Sequence, residues 1–329
     1  MKIKIRSERI SDFNSIANVN YEAFLGWHPD NQYVSELILV DLLRHNSRFD
    51  PELSLVAELD GQIIGHVLFS PFKFIVLGTE QLGVVLAPIA VKPEFQKSGI
   101  GRLLIEEGHR IAEKKGIEFS LLCGHEEYYP RFGYRTGMFS VGGTKVNICA
   151  KSFNDKGFKG RPVTASDISW LIQAWKDQHK EDLLAVFPGE SISEWCNHGL
   201  ECCSSVIMKN DRILGYVRHS RSNPLNIKEL LAKDEDVQEI LSFLALKNYG
   251  RVQGEVCIAL PVERLRSALD DAPQFELIDE YAVYPAFMVK VFEQDSPMAK
   301  YCEKVESGLI KPGMIAFPAV FDLADGRRE

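Results

Sequence analysis

The apolar positions of the first half change period along the chain, and the changes mark out the elements. Residues 84–91 are an almost unbroken apolar, β-branched run that stops at Lys92-Pro93. A short polar loop with two glycines follows. After it Ile100, Leu103, Leu104, Ile111 and Ala112 fall on one helical face, with Glu106, Glu107, Arg110 and Glu113 on the other. This pattern predicts strand, loop and amphipathic helix. Upstream, residues 2–5 read as a strand. Ser11-Asp12 reads as a helix start, with Phe13, Ile16, Ala17, Val19 and Ala23 at helical spacing. A second helix is expected over 34–44, with Leu37, Val40, Leu42 and Leu43 as its apolar positions. Segments 53–58 and 62–74 form a hairpin around Asp60-Gly61. Downstream, 117–123 is a short buried strand, 128–134 a turn, and 134–149 a last strand pair.

After a polar, glycine-containing stretch at 151–160 the order begins again. Ser166-Asp167-Ile168 echoes Ser11-Asp12-Phe13, and Arg212-Ile213-Leu214-Gly215 echoes Gln62-Ile63-Ile64-Gly65. A helix is expected over 237–247, and strands over 256–260, 275–278 and 286–292. The reading is an α/β chain of two similar units, each a central mixed β-sheet flanked by helices. Residues 1–150 form the first unit, 151–160 the linker, 161–292 the second, and 293–329 a tail packed on the domains.

Composition narrows the function classes. The chain has 329 residues, enough for two cores, and 26% charged residues. No apolar run is long enough to span a membrane, and the first residues lack an apolar leader core. Seven scattered cysteines suit reduced thiols and a cytoplasmic location. A net charge of −8 argues against nucleic-acid binding. Cys196, His198, Cys202 and Cys203 match no familiar zinc spacing, so no metal site is expected.

A strand, a glycine loop and a helix make an anion-binding arrangement, because the first helical N–H groups have no partner within the helix. Gly99 and Gly101 let backbone approach a phosphate, and Lys97 and Arg102 add positive charge. The loop is neither a P-loop nor a three-glycine dinucleotide fingerprint. Val91-Lys92-Pro93 followed by Gln96-Lys97-Ser98-Gly99-Ile100-Gly101 resembles the acetyl-CoA loop of the GNAT superfamily of N-acetyltransferases. Together with 36–44, 86–91 and Tyr128-Tyr129-Pro130-Arg131-Phe132-Gly133-Tyr134, it is similar to the YhbS-like bacterial group.

The resemblance implies tandem GNAT-like domains and an acetyl-CoA-dependent N-acetyltransferase that works by direct attack of a primary amine in a ternary complex. It implies that Ile89, Ala90 and Val91 face the thioester and pantetheine. It likewise implies that Gln96, Lys97, Ser98, Gly99, Ile100, Gly101 and Arg102 hold the pyrophosphate. Tyr129 corresponds to the tyrosine that protonates the departing thiolate, with Tyr128 as its natural control. No glutamate lies on the central strand, so the base is sought in His125 and Glu126, with His66 and Glu80 as further options. Trp27, His28 and Asp30 lie in the loop that lines the acceptor side. In the second unit Lys233-Asp234-Glu235-Asp236 stands where the glycine loop would be, and carboxylates there are expected to exclude CoA. The acceptor, a small molecule or a peptide amine, stays open, as does homo-oligomerisation. So do two alternatives: a non-catalytic acyl-CoA sensor, and a transferase of longer acyl groups.

Overall fold

The computed structural model describes residues 3–27, 34–199 and 201–324. In chain order the first half contains β1 (Lys4–Ser7), α1 (Phe13–Phe24), α2 (Ser35–Arg44), β2 (Ser54–Leu59), β3 (Gln62–Val76), β4 (Thr79–Val91), α3 (Ile100–Lys114), β5 (Phe119–Cys123), β6 (Phe139–Val141) and β7 (Thr144–Cys149). The second half contains β8 (Phe158–Arg161), α4 (Ile168–His179), β9 (Leu184–Val186), β10 (Cys202–Lys209), β11 (Arg212–Ser220), β12 (Asn226–Ala232), α5 (Asp234–Tyr249), β13 (Gln253–Ile258) and α6 (Val262–Leu269). It continues with β14 (Phe275–Asp279), β15 (Ala282–Val283) and β16 (Phe287–Val291), and the tail adds α7 (Pro297–Glu306) and β17 (Gly313–Met314).

Two mixed seven-stranded sheets and a small three-stranded one, β15-β6-β17, organise these elements. The first runs β1-β2-β3-β4-β5-β16, with β9 beside the far end of β3. The second runs β14-β7-β13-β12-β11-β10-β8. The sheets therefore exchange strands. Strand β7, expected to close the first sheet, lies between β13 and β14 of the second. Strand β16, expected in the second, pairs antiparallel with β5 of the first. Side-chain burial explains the exchange. Val146 and Ile148 of β7 enter the second core. Strand β16 buries apolar side chains on both faces, with Phe287, Val289 and Val291 in one core of the first sheet and Met288 in the other. Part of the expected linker, from Phe158, is also a strand, at the edge of the second sheet.

On the first sheet α3 covers one face through Ile100, Leu104, Ile105 and Ala112. The other face is covered by α1, α2 and the tail. The tail was expected to pack on a surface, and it does more than that. Met298, Tyr301 and Cys302 of α7 are fully buried in the first core, each apolar side chain contributing about 1.5–3 kcal/mol. The Tyr301 hydroxyl donates to the Met138 carbonyl and accepts from the Gly313 amide, both at 2.6 Å. Further on, Asp322 accepts from the buried Arg218 guanidinium at 2.6 and 2.7 Å. Glu229 balances the same Arg218 at 3.2 Å.

Candidate active site

The site begins where two neighbouring strands part. Strands β4 and β5 pair in parallel only through Gly83↔Phe119, Val84↔Ser120 and Val85↔Leu121. Beyond Val85, β4 stays paired with β3 alone, and a wedge opens between residues 86–91 and the end of β5. The β3–β4 register slips between Val67 and Phe69, opposite the cis Ala87–Pro88 peptide. Past the slip, the Lys92 amide donates to the Ile64 carbonyl at 3.0 Å. Antiparallel partners alternate between hydrogen-bonded and non-bonded pairs, which makes Ala90↔His66 a bonded pair. Ile89 and Val91 then turn their N–H and C=O groups away from β3, into the wedge. The Val91 carbonyl is capped by the Gln96 side-chain amide at 3.1 Å.

The chain leaves β4 through a 3-10 turn at Pro93–Phe95 and enters α3 through two left-handed residues, Lys97 (φ 61°) and Gly99 (φ 88°). The Ser98 hydroxyl donates back to the Phe95 carbonyl. The first helical bond of α3 runs from the Leu103 amide to the Gly99 carbonyl at 3.2 Å. The amides of Ile100, Gly101 and Arg102 thus have no partner within the helix and face outward with its positive dipole end. Gln96, Lys97, Ser98 and Gly99 are exposed. Arg102 is exposed and spends its guanidinium on Glu106 of the next turn, at 2.8 Å. Gly101 leaves the first turn of α3 open to close approach. A Cβ there would lie 3.0 Å from the Tyr128 hydroxyl, which stands over the first turn of α3. Tyr128, read from sequence only as a control position, therefore touches the loop. The doublet of tyrosines was the sole signal for it.

Tyr129 is 8% exposed and packs between Gly124, Tyr128 (5.1 Å between rings) and Tyr134 (5.9 Å). Burial, then the neighbouring Tyr128 and Cys123, hold its hydroxyl far above the ordinary phenol range, so it is neutral. Both the Tyr128 and Tyr129 amides donate to the His125 carbonyl, at 3.1 and 3.4 Å, which fixes the turn to the end of β5. Behind Tyr129 lies a buried polar chain that sequence reading missed. The Tyr134 hydroxyl meets Ser120 Oγ at 2.7 Å and His109 Nε2 at 3.0 Å, and Lys290 Nζ of β16 meets His109 Nδ1 at 3.2 Å. Burial and the Lys290 charge push His109 down to about 3.

The remaining candidates separate. His125 is exposed and contacts the Trp27 ring, centroids 5.4 Å apart, which brings the acceptor loop to the end of β5. Glu126 is exposed beside it. His28 and Asp30 lie outside the described residues. His66 is not at the site. It is fully buried between Asn20 Nδ2 (3.2 Å) and Ser54 Oγ (3.1 Å), and burial pushes it down to about 3. Glu80 sits at the opposite end of β4 and pairs with Lys73 at 2.7 Å. Among the described residues no group of three or more metal-ligating side chains converges.

An anion cradle at the head of a helix thus lies beside two splayed parallel strands and a buried tyrosine, and comparison with known proteins bears on the half of the chain that carries them. The acetyltransferase (GNAT) family profile matches residues 14–134. The uncharacterized N-acetyltransferase YjhQ of Escherichia coli K12 is 35% identical over 124 residues, covering 38% of this chain and 65% of that protein. A GNAT family acetyltransferase from Brucella melitensis, crystallised with acetyl-CoA, is 38% identical over 41% of this chain and 83% of its own, with a TM-score of 0.37. A GCN5-related N-acetyltransferase from Anabaena variabilis shares the fold across both halves, at 15% identity. It covers 89% of this chain and 73% of its own, with a TM-score of 0.65. Residues 14–134 carry a GNAT acetyltransferase domain. The chain spans just under two thirds of the length of YjhQ.

Proposed function

We propose that the chain transfers the acetyl group of acetyl-CoA to a primary amine by direct attack in a ternary complex. The observation that carries this reading is the wedge between β4 and β5, which opens beside the unpartnered amides of α3. The fit to acetyl-CoA rests on geometry. Gly101 leaves the space a Cβ would fill below the Tyr128 hydroxyl, and the amides of Ile100, Gly101 and Arg102 are free for a diphosphate. The relative from Brucella melitensis was crystallised with this same co-substrate.

In this reading Ile89 N–H donates to the thioester carbonyl oxygen as charge builds there, while Val91 N–H and Ala90 align the pantetheine arm. Gln96, Lys97, Ser98 and Gly99 complete the diphosphate cradle. Tyr129, neutral because it is buried, donates a proton to the thiolate as the C–S bond breaks. The attacking amine loses its proton toward His125 or Glu126 through water, at the mouth lined by Trp27. Catalysis belongs to the first unit. The second shapes the assembly and holds no CoA, because its corresponding helix start, α5, is filled by its own carboxylates. Asp236 is buried and pairs with Arg212 at 2.7 Å, and Asp234 pairs with Arg264 at 2.8 Å.

Calorimetry with acetyl-CoA, followed by thiol release over a panel of amines, tests the reading. One molecule bound per chain and amine-dependent CoA release are expected. Binding without release for any amine would leave a sensor, and no binding would remove the assignment.

A further inference from the structure

A cleft of about 510 Å³ lies between the two halves, lined by β6, β9, β17, the end of α4 and the start of α6. It is separate from the wedge. Its wall β9 pairs with Phe74–Val76 of β3, whereas Ile89 at the wedge is level with Val67. Seven residues of strand separate the two levels, roughly 23 Å at about 3.3 Å per residue. Among the described residues, none from the glycine loop, the wedge or the Tyr128–Tyr134 turn lines this cleft.

Its chemistry is two-layered. The floor is apolar, with Trp175, Leu184, Val186 and Leu260 all buried. The exposed rim carries Glu181, Glu263 and Asp279. Deeper charged groups already have partners: Glu229 pairs with Arg218 (3.2 Å) and Arg264 with Asp234 (2.8 Å), and Asp182 accepts a hydrogen bond from His179 Nδ1 (2.6 Å). One rim cation, Lys311, sits 5.3 Å from the centre of the Tyr281 ring. The Tyr281 hydroxyl is buried with no hydrogen-bond partner among the described residues. A buried hydroxyl left unpaired is costly, and a polar group on a bound ligand would satisfy it. Three rim carboxylates against one lysine repel an anion such as CoA and favour a cation. The apolar floor favours a ligand with a hydrocarbon or aromatic body, and the volume is that of a small-molecule site.

We propose that this cleft binds an organic ammonium compound with an apolar body, at a site distinct from the one that handles acetyl-CoA. The inference does not rest on acetyl transfer, because binding is read without the co-substrate.

Tryptamine is the probe, with indole-3-propionate as the control of opposite charge, titrated calorimetrically into the full chain. The expected result is saturable one-to-one binding of tryptamine that weakens with added salt, and at least tenfold weaker binding of the carboxylate. The exposed-rim variant E181Q/E263Q/D279N, which removes no buried group, should weaken tryptamine binding about tenfold. Tyr281→Phe should weaken it less, with the fold intact by circular dichroism. No saturable binding, equal binding of the two indoles, or an unchanged affinity in the rim variant would each overturn the proposal. So would direct competition by acetyl-CoA, which would place tryptamine in the wedge.

Discussion

The Tyr129 ring lies so close to the backbone of Gly124 that a Cβ on Gly124 would sit 2.4 Å from its Cε2. No real Cβ tolerates that contact. Nor can the backbone yield easily, since the Gly124 amide donates to the Ala286 carbonyl at 2.9 Å. Gly124→Ala should therefore push the tyrosine off its position by about an ångström, and misplacement on that scale costs about 100-fold. A fall of about 10- to 100-fold in kcat is expected, with KM for acetyl-CoA nearly unchanged because the diphosphate loop is untouched. Steady-state kinetics check this. An unchanged kcat would show that the Tyr129 position does not matter to the reaction.

The two adjacent tyrosines should separate in their kinetics. Tyr129→Phe removes the proposed proton donor and should lower kcat by about 100-fold, the low end of what a general acid contributes. Tyr128→Phe leaves the acid in place but removes the hydroxyl over Gly101, so it should raise KM for acetyl-CoA severalfold with little change in kcat. The pH profile adds a sign. Burial raises the Tyr129 hydroxyl above its ordinary value of 10, so it stays protonated beyond pH 10. Between pH 7 and pH 10 kcat should therefore show no decline that Tyr129→Phe abolishes. Such a decline would mean that the tyrosine ionises in that range.

Gly99 at φ 88° occupies a conformation that costs an ordinary L-residue about 1–2 kcal/mol and a β-branched one more. Gly99→Val should turn the loop amides away from a diphosphate. The expected effect is at least tenfold weaker acetyl-CoA binding by calorimetry, with the backbone strain lowering the melting temperature by only about 5 °C because residue 99 is exposed and no packing is lost. Arg102→Ala should do much less, since its guanidinium already pairs with Glu106.

Much of this architecture was legible from local pattern. The helix that starts at Ile100 and ends at Lys114 was readable from its apolar face, and the hairpin before it from Asp60-Gly61. What the pattern could not show is which sheet a strand joins. Strand β7 follows the first unit in sequence, yet Val146 and Ile148 find their apolar partners in the second. Alternation specifies a face, and it carries no information about the neighbouring strand. The buried chain Lys290–His109–Tyr134–Ser120 was hidden for the same reason, because Lys290 arrives from 156 positions beyond Tyr134 on the exchanged strand β16. His66 misled in the opposite sense. A histidine in a strand gives no sign of burial until Asn20 and Ser54 are seen to hold both its ring nitrogens.

Those two buried histidines make the fold acid-sensitive. His66 and His109 are each pushed from 6.5 to about 3, chiefly by burial, with the Arg44 charge adding to the effect at His66 and the Lys290 charge at His109. Glu8 lies 3.9 Å from His66 Nε2, but its charge is already committed to Arg44 at 2.8 Å. The unfolded chain binds a proton at each histidine near pH 6.5, while the folded chain does so only near pH 3. Stability from these groups is therefore complete above pH 6.5 and is lost as pH falls toward 3. Each histidine should cost about 2 kcal/mol between pH 7 and pH 5. Urea unfolding across that range should show the loss as a falling midpoint with an unchanged m-value. His66→Gln keeps hydrogen bonding at both ends but does not titrate, so it should be less stable at pH 7 and lose about half of the pH dependence. A variant with the full wild-type slope would show that His66 is not the group that takes up the proton on unfolding.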